Sequence, residues 1–242
     1  MRFLMLGAVA ASLAIPSAWP QSVPVPAHGK LVALFNGRDL TGFDTVLKKQ
    51  GFNHDPDGVF QVQDGVLHIS GAEFGYAITR KEYENYYLRA EFKWGTATYA
   101  PRAGQSRDSG ILYHVTGPLN VWPRAIEFQI QEGGTGDIWL VEGPELTVAG
   151  KTLRKDWPCF DRFGKGPFKD VTGYRDPVGE VEKPHGEWNV VELIADHDRV
   201  TYRVNGKVVN EGSGANPSRG RILFQSEGAE VFFRNIELAP LQ

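Results

Sequence analysis

Residues 125–131 read Ala125-Ile126-Glu127-Phe128-Gln129-Ile130-Gln131. Apolar and polar side chains alternate along them, with the two-residue period of a β-strand whose successive side chains point to opposite faces. Phe128 and Ile130 are therefore expected to face a core, leaving Glu127, Gln129 and Gln131 together on a polar face. A strand of this kind belongs to an antiparallel sheet with one packed and one open side.

The same alternation recurs on both sides of this stretch, in VFQVQDGVLHI (59–69), YYLRAEFKW (86–94), SGILYHV (109–115), WNVVELIAD (188–196), RVTYRVNGKVVNEG (199–212), RILFQSEG (221–228) and EVFFRNIEL (230–238). Asp64-Gly65 and Asn205-Gly206 are hairpin-turn pairs, because both positions of a tight hairpin turn take a left-handed backbone. No segment keeps a helical period for three turns, and 28 Gly with 15 Pro would interrupt most helices. The fold class is thus all-β. So many short strands in one chain are most economically arranged as a two-sheet jelly-roll sandwich.

At the N-terminus, Arg2, the apolar run Phe3–Ile15 and the small residues Ser17 and Ala18 have the layout of a secretory signal peptide. The run is short for a bilayer span. Residues 1–21 are assigned to this leader, 22–30 to a Pro-rich linker and 31–242 to a single domain, so the mature protein is expected to be exported, periplasmic or secreted, with no membrane span. Lys plus Arg number 26 against 29 for Asp plus Glu, and no basic stripe points to nucleic acid. A neutral small-molecule or oligosaccharide substrate fits this balance better. Cys159 is the only cysteine, which excludes an internal disulfide; with no base beside it in WPCFDRF, a buried apolar role is expected. Residues 142–187 alternate poorly and are rich in Gly, Pro and charge, as functional or mobile insertions are.

In SGILYHV, strict alternation puts Ile111, Tyr113 and Val115 on one side and Leu112 and His114 on the other, so His114 joins Glu127 if the two strands pair. Flanked by Trp122, Arg124 and Trp139, this polar row suits carbohydrate: amides and carboxylates grip hydroxyls, and indole faces pack on sugar rings. The same row is also what the solvated side of any antiparallel sheet carries. The residues alone leave both readings open.

The order LFNGRDLTGF, DGVLHI, RDSGILYHV, IEFQIQEGGTGDIW, GEWNVVEL, YRVNGKVV and GRILFQSEGAEVFFRNIEL resembles the family of 3-keto-disaccharide hydrolase domains, from about residue 31 to residue 240. The resemblance implies a concanavalin A-like jelly roll of the lectin and glucanase type and action on sugars oxidised at C3. Asp108, His114 and Glu227 stand where many members carry Asn, Arg and His. The stretch Glu127–Glu132 is also similar to the catalytic strand of bacterial lichenases and laminarinases, whose nucleophile, assisting Asp and acid/base would become Glu127, Gln129 and Glu132. Gln129 departs from that pattern, and Glu132 has the opposite parity from Glu127 unless a bulge intervenes near Gln131, which Gly133-Gly134 would permit.

A ketone at C3 acidifies the C2 hydrogen, so a base, a proton donor for the departing oxygen and a group that polarises the ketone suffice. The resemblance implies Glu127 as base and His114 as acid/base partner or ligand of a divalent metal, calcium or a transition metal. Gln129 and Gln131 would orient hydroxyls, Arg107 or Arg124 would stabilise an enolate, and Gln225 with Glu227 would line the same groove. No HxH or HExxH spacing marks a metal site. A noncatalytic sugar-binding module and a classical two-carboxylate glycoside hydrolase are the competing readings.

Overall fold

The structure is a computed structural model that describes residues 24–156, 158–162 and 179–242. Among these residues there is no helix, and none therefore is long and apolar enough to cross a membrane. The strands form two antiparallel sheets. The front sheet has eight strands, in the spatial order Cys159–Phe160, Ile138–Val141, Arg124–Gln131, Asp108–Thr116, Arg221–Ser226, Gly75–Thr79, Phe43–Leu47 and Gly51–Phe52. The ten-stranded back sheet is centred on Tyr86–Thr98, which lies between Asn189–Asp196 and Ala229–Pro240.

The alternation in the sequence explains this arrangement. Ile126, Phe128 and Ile130 enter the core between the sheets together with Phe92, Phe224 and Phe233. Phe128 lies flat on Tyr202 of the back sheet, with ring centroids 4.2 Å apart and planes 6° from parallel. Both hairpins form where expected: Asp64 and Gly65 have φ of 51° and 80°, and Asn205 and Gly206 have 49° and 80°. Tyr202 Oη also donates to the Glu127 carbonyl at 3.2 Å, tying the front strand to the back sheet at the level of the polar face.

The sequence expectation fails at one point in this framework. His114 has φ of 52°, and the register shifts here against both neighbouring strands, so the strand is bulged. Beyond the bulge Val115 joins Leu112 in a small apolar cluster on the outer side of the front sheet, while Ile111 and Tyr113 stay in the core. Gly220 permits the bulge, because a Cβ there would overlap the His114 carbonyl carbon. Part of the poorly alternating insertion is also ordered: Glu145–Val148 and Lys151–Leu153 extend the back sheet, and buried Cys159 sits on an edge strand of the front one. The assigned leader, Trp157 and residues 163–178 of the insertion lie outside the described residues.

Candidate active site

Three adjacent strands of the front sheet bring polar side chains to its outer face. Glu127 and Gln129 come from Arg124–Gln131, Asp108 from Asp108–Thr116 and Gln225 from Arg221–Ser226. Trp139 pairs in register with Glu127 from the other side, and Trp122 closes the end of the row. Together with Arg102 and Glu227 these residues line a cleft of 280 Å³. The centre of the cleft depends on a glycine. A Cβ at Gly110 would overlap Glu127 Oε1 and lie 3.1 Å from Gln225 Oε1, so its absence lets both side chains lean over the same strand.

Asp108 orders the floor of the cleft. It is 1% exposed, and its Oδ1 accepts a hydrogen bond from Gln129 Nε2 at 3.0 Å. Its Oδ2 accepts from Gln131 Nε2 at 3.4 Å and pairs with the Arg102 guanidinium. Arg102 in turn lies 3.6 Å from Glu227 Oε1. With the Gln129 donor committed to Asp108, its oxygen is left open: among the described residues Glu127 Oε1, Gln129 Oε1 and Gln225 Oε1 have no hydrogen-bond partner. Buried acceptors left in this state are costly unless a ligand or water satisfies them.

Glu127 is 5% exposed. Burial, and then the nearby Glu227 carboxylate, hold its carboxyl well above the usual range, and the Arg102 guanidinium offsets only part of this. A carboxylate held in this way is an unusually strong base for its type.

The cleft thus unites Glu127, Gln129, Trp122, Trp139, Gln225 and Glu227, and five other expected residues are placed elsewhere. His114 is the first correction. The bulge turns its ring toward Tyr86 and Tyr113, its Nδ1 lies 3.1 Å from the Pro217 carbonyl, and burial pushes its pKa down to about 4. It therefore does not share the Glu127 face as either acid/base partner or metal ligand. Glu132 keeps its opposite parity, since the strand ends at Gln131 without a bulge, and it pairs with Arg107 and His185 at 3.4 and 3.2 Å. Arg107 is further fixed to the Gly95 carbonyl at 3.0 Å. Arg124 reaches Thr116, Gly143 and Asn216 rather than the cleft. Gln131 lies behind the lining, on Asp108.

Arg102 and the ordering role of Asp108 were not anticipated. Arg102 sits in an irregular segment with no period to read, whereas Asp108 stood in the RDSG motif, where its partner is Arg102 and not the adjacent Arg107. Among the described residues, no group of three or more His, Cys, Asp or Glu is disposed to hold a metal. Away from the cleft, Glu182 is buried with Trp94 Nε1 on one oxygen at 2.7 Å and Thr135 Oγ1 on the other at 2.9 Å. Burial pushes its pKa up to about 7.

Residues 30–239 match the 3-keto-alpha-glucoside-1,2-lyase-like domain. The chain belongs to this family. The match spans both sheets and every residue of the cleft. A search of curated proteins returns no match. Among solved structures, the chain is similar to a glycosyl hydrolase candidate from Parabacteroides distasonis ATCC 8503, with 24% identity, coverage of 88% of this chain and 94% of the other, and a TM-score of 0.57. It is also similar to a carbohydrate-binding module from Bacillus subtilis, with 8% identity, 82% and 95% coverage and a TM-score of 0.53. For a Bacillus licheniformis β-glucanase the values are 9%, 89% and 99%, and 0.50. The fold of this 3-keto-glucoside lyase-like domain is thus the jelly roll shared by glucanases and sugar-binding modules.

Proposed function

We propose that this domain is an exported enzyme that cleaves 3-keto-glycosides or 3-keto-disaccharides by base-initiated elimination followed by hydration. The observation that carries the reading is the buried Glu127 carboxyl, which leans over Gly110 in a cleft that also holds two amide oxygens without donors. Sugar hydroxyls supply those donors, and Trp122 and Trp139 offer indole faces to the ring. In its ionised form Glu127 takes the C2 proton. The electrons form the C1–C2 double bond as the C1–O bond breaks, and the departing oxygen takes a proton from the Glu127–Glu227 pair or from water. Arg102, and neither Arg107 nor Arg124, is the cleft cation positioned to favour negative charge on the ketone oxygen. Addition of water across the double bond completes a net hydrolysis.

A two-carboxylate glycosidase mechanism on the Glu127 and Glu132 pair is not supported by this geometry, because Glu132 is held by Arg107 and His185. A noncatalytic sugar-binding module is the second reading, favoured by the same three open acceptors and by the likeness to a carbohydrate-binding module. The test is turnover of a chemically oxidised 3-keto-glucoside beside its unoxidised parent. Cleavage of the keto compound alone supports the enzyme. Equal turnover of the two, or tight binding of plain oligosaccharides with no turnover of either, contradicts it.

A further inference from the structure

We infer that a second pocket beside the cleft is a leaving-group subsite for an anionic ring. The inference rests on the reading of the Glu127 cleft as the sugar site, and it concerns the part of the substrate that departs from C1. The pocket holds 170 Å³ and is lined by Lys48, Lys49, Glu73, Phe74, Ala100 and Pro101. It adjoins the cleft in three ways. Phe74 packs on Trp122 of the cleft wall, with ring centroids 5.8 Å apart. Pro101 immediately precedes Arg102, which lines the cleft. Ser226, between the cleft residues Gln225 and Glu227, donates its hydroxyl to the Glu73 carbonyl at 2.7 Å.

The chemistry of this pocket differs from that of the cleft. The cleft offers acceptor oxygens, whereas the pocket offers two exposed ammonium groups, Lys48 and Lys49, that have no ion-pair partner among the described residues. Glu73 does not neutralise them by pairing, since its Oε1 accepts the backbone N–H groups of Lys49 and Gln50. Lys48 Nζ is 5.9 Å from the centroid of Phe74. A planar or pyranose ring lying on Phe74 therefore carries any carboxylate toward two unpaired cations, while the scissile oxygen points back past Trp122 to Glu127. An aryl carboxylate and a uronate share this chemistry.

The experiment compares the 3-keto-glucosides of 4-hydroxybenzoate and of its neutral isostere 4-hydroxybenzamide, in the wild type and in a Lys48→Met, Lys49→Met double variant. Exposed charge pairs of this kind support a preference of about fivefold. The wild type is expected to favour the carboxylate by that factor in kcat/KM, through KM and only at low salt, and the ratio is expected to fall to one in the double variant. A wild-type ratio of one, or a preference that survives the double substitution, overturns the subsite. Binding of free 4-hydroxybenzoate and of glucuronate, read by NMR titration, separates this result from failure of the catalytic reading. If neither glucoside is cleaved, the enzyme assignment fails, and the subsite stands only if one of the two anions binds the wild type and not the double variant; the tighter of them identifies the source.

Discussion

Gln129 Nε2 donates to Asp108 Oδ1 at 3.0 Å, and this bond decides which end of the amide faces the cleft. The amide oxygen is left without a partner in the cleft that Glu127 also lines, so the site presents acceptors to a ligand rich in hydroxyl donors. Asp108 is itself neutralised by Arg102, which makes the pair a buried charged scaffold beneath the polar row.

Asp108→Ala should break that scaffold in two measurable ways. Removing one partner of a buried pair costs about 3–5 kcal/mol, so urea unfolding should show a lower midpoint. Freed Gln129 should also raise KM for a 3-keto-glucoside. Asp108→Asn keeps an oxygen that can accept from Gln129 Nε2 but removes the charge facing Arg102, so KM should recover while most of the stability loss remains, and a KM as high as that of Asp108→Ala would show that this hydrogen bond does not set the orientation of Gln129.

Gly110→Ala places a methyl group where Glu127 Oε1 now lies. A displacement of about 1 Å at a catalytic group can cost about 10²-fold in rate. The variant should therefore keep its circular dichroism spectrum and lose about that factor in kcat/KM. An unchanged rate would mean that Glu127 is free to act from another position.

Glu182 predicts a pH effect on stability. Its folded pKa is about 7 against an ordinary 4.5, so the folded state binds more protons between these values, and stability falls as pH rises across that window before levelling off. The contribution is on the order of 3 kcal/mol. Glu182→Gln should flatten the wild-type slope between pH 5 and pH 7, by about that amount, in thermal or urea unfolding. Glu127, also raised, adds a slope of the same sign in both proteins.

Phe128 is completely buried and stacked on Tyr202. Phe128→Ala should cost about 3–5 kcal/mol in unfolding free energy. Gln129→Ala, on the opposite face of the same strand, should cost far less stability and act on substrate binding. The contrast checks the two-face reading of this strand directly.

The fold was legible because the signals for it are local. Alternation in AIEFQIQ and turn chemistry at Asp64-Gly65 and Asn205-Gly206 each act within a few residues, and each formed as expected. The side of the sheet taken by Glu127, Gln129, Gln225 and Glu227 followed from the same parity. His114 escaped it because a bulge resets parity, and the cause of this bulge includes Gly220, distant in sequence and adjacent only in the folded sheet. Arg102 was invisible for a related reason: it reaches Asp108 from an irregular segment, and only the three-dimensional path of that segment brings the two charges together.

Replacing the C2 hydrogen of a 3-keto-glucoside with deuterium tests proton removal by Glu127 most directly. The wild type should slow several-fold with the deuterated substrate, with kcat/KM rising with pH as Glu127 ionises, and Glu127→Gln should lose about 10²–10⁴-fold in rate. Equal rates for the two isotopic substrates, together with a Glu127→Gln variant that retains wild-type turnover, would contradict the account.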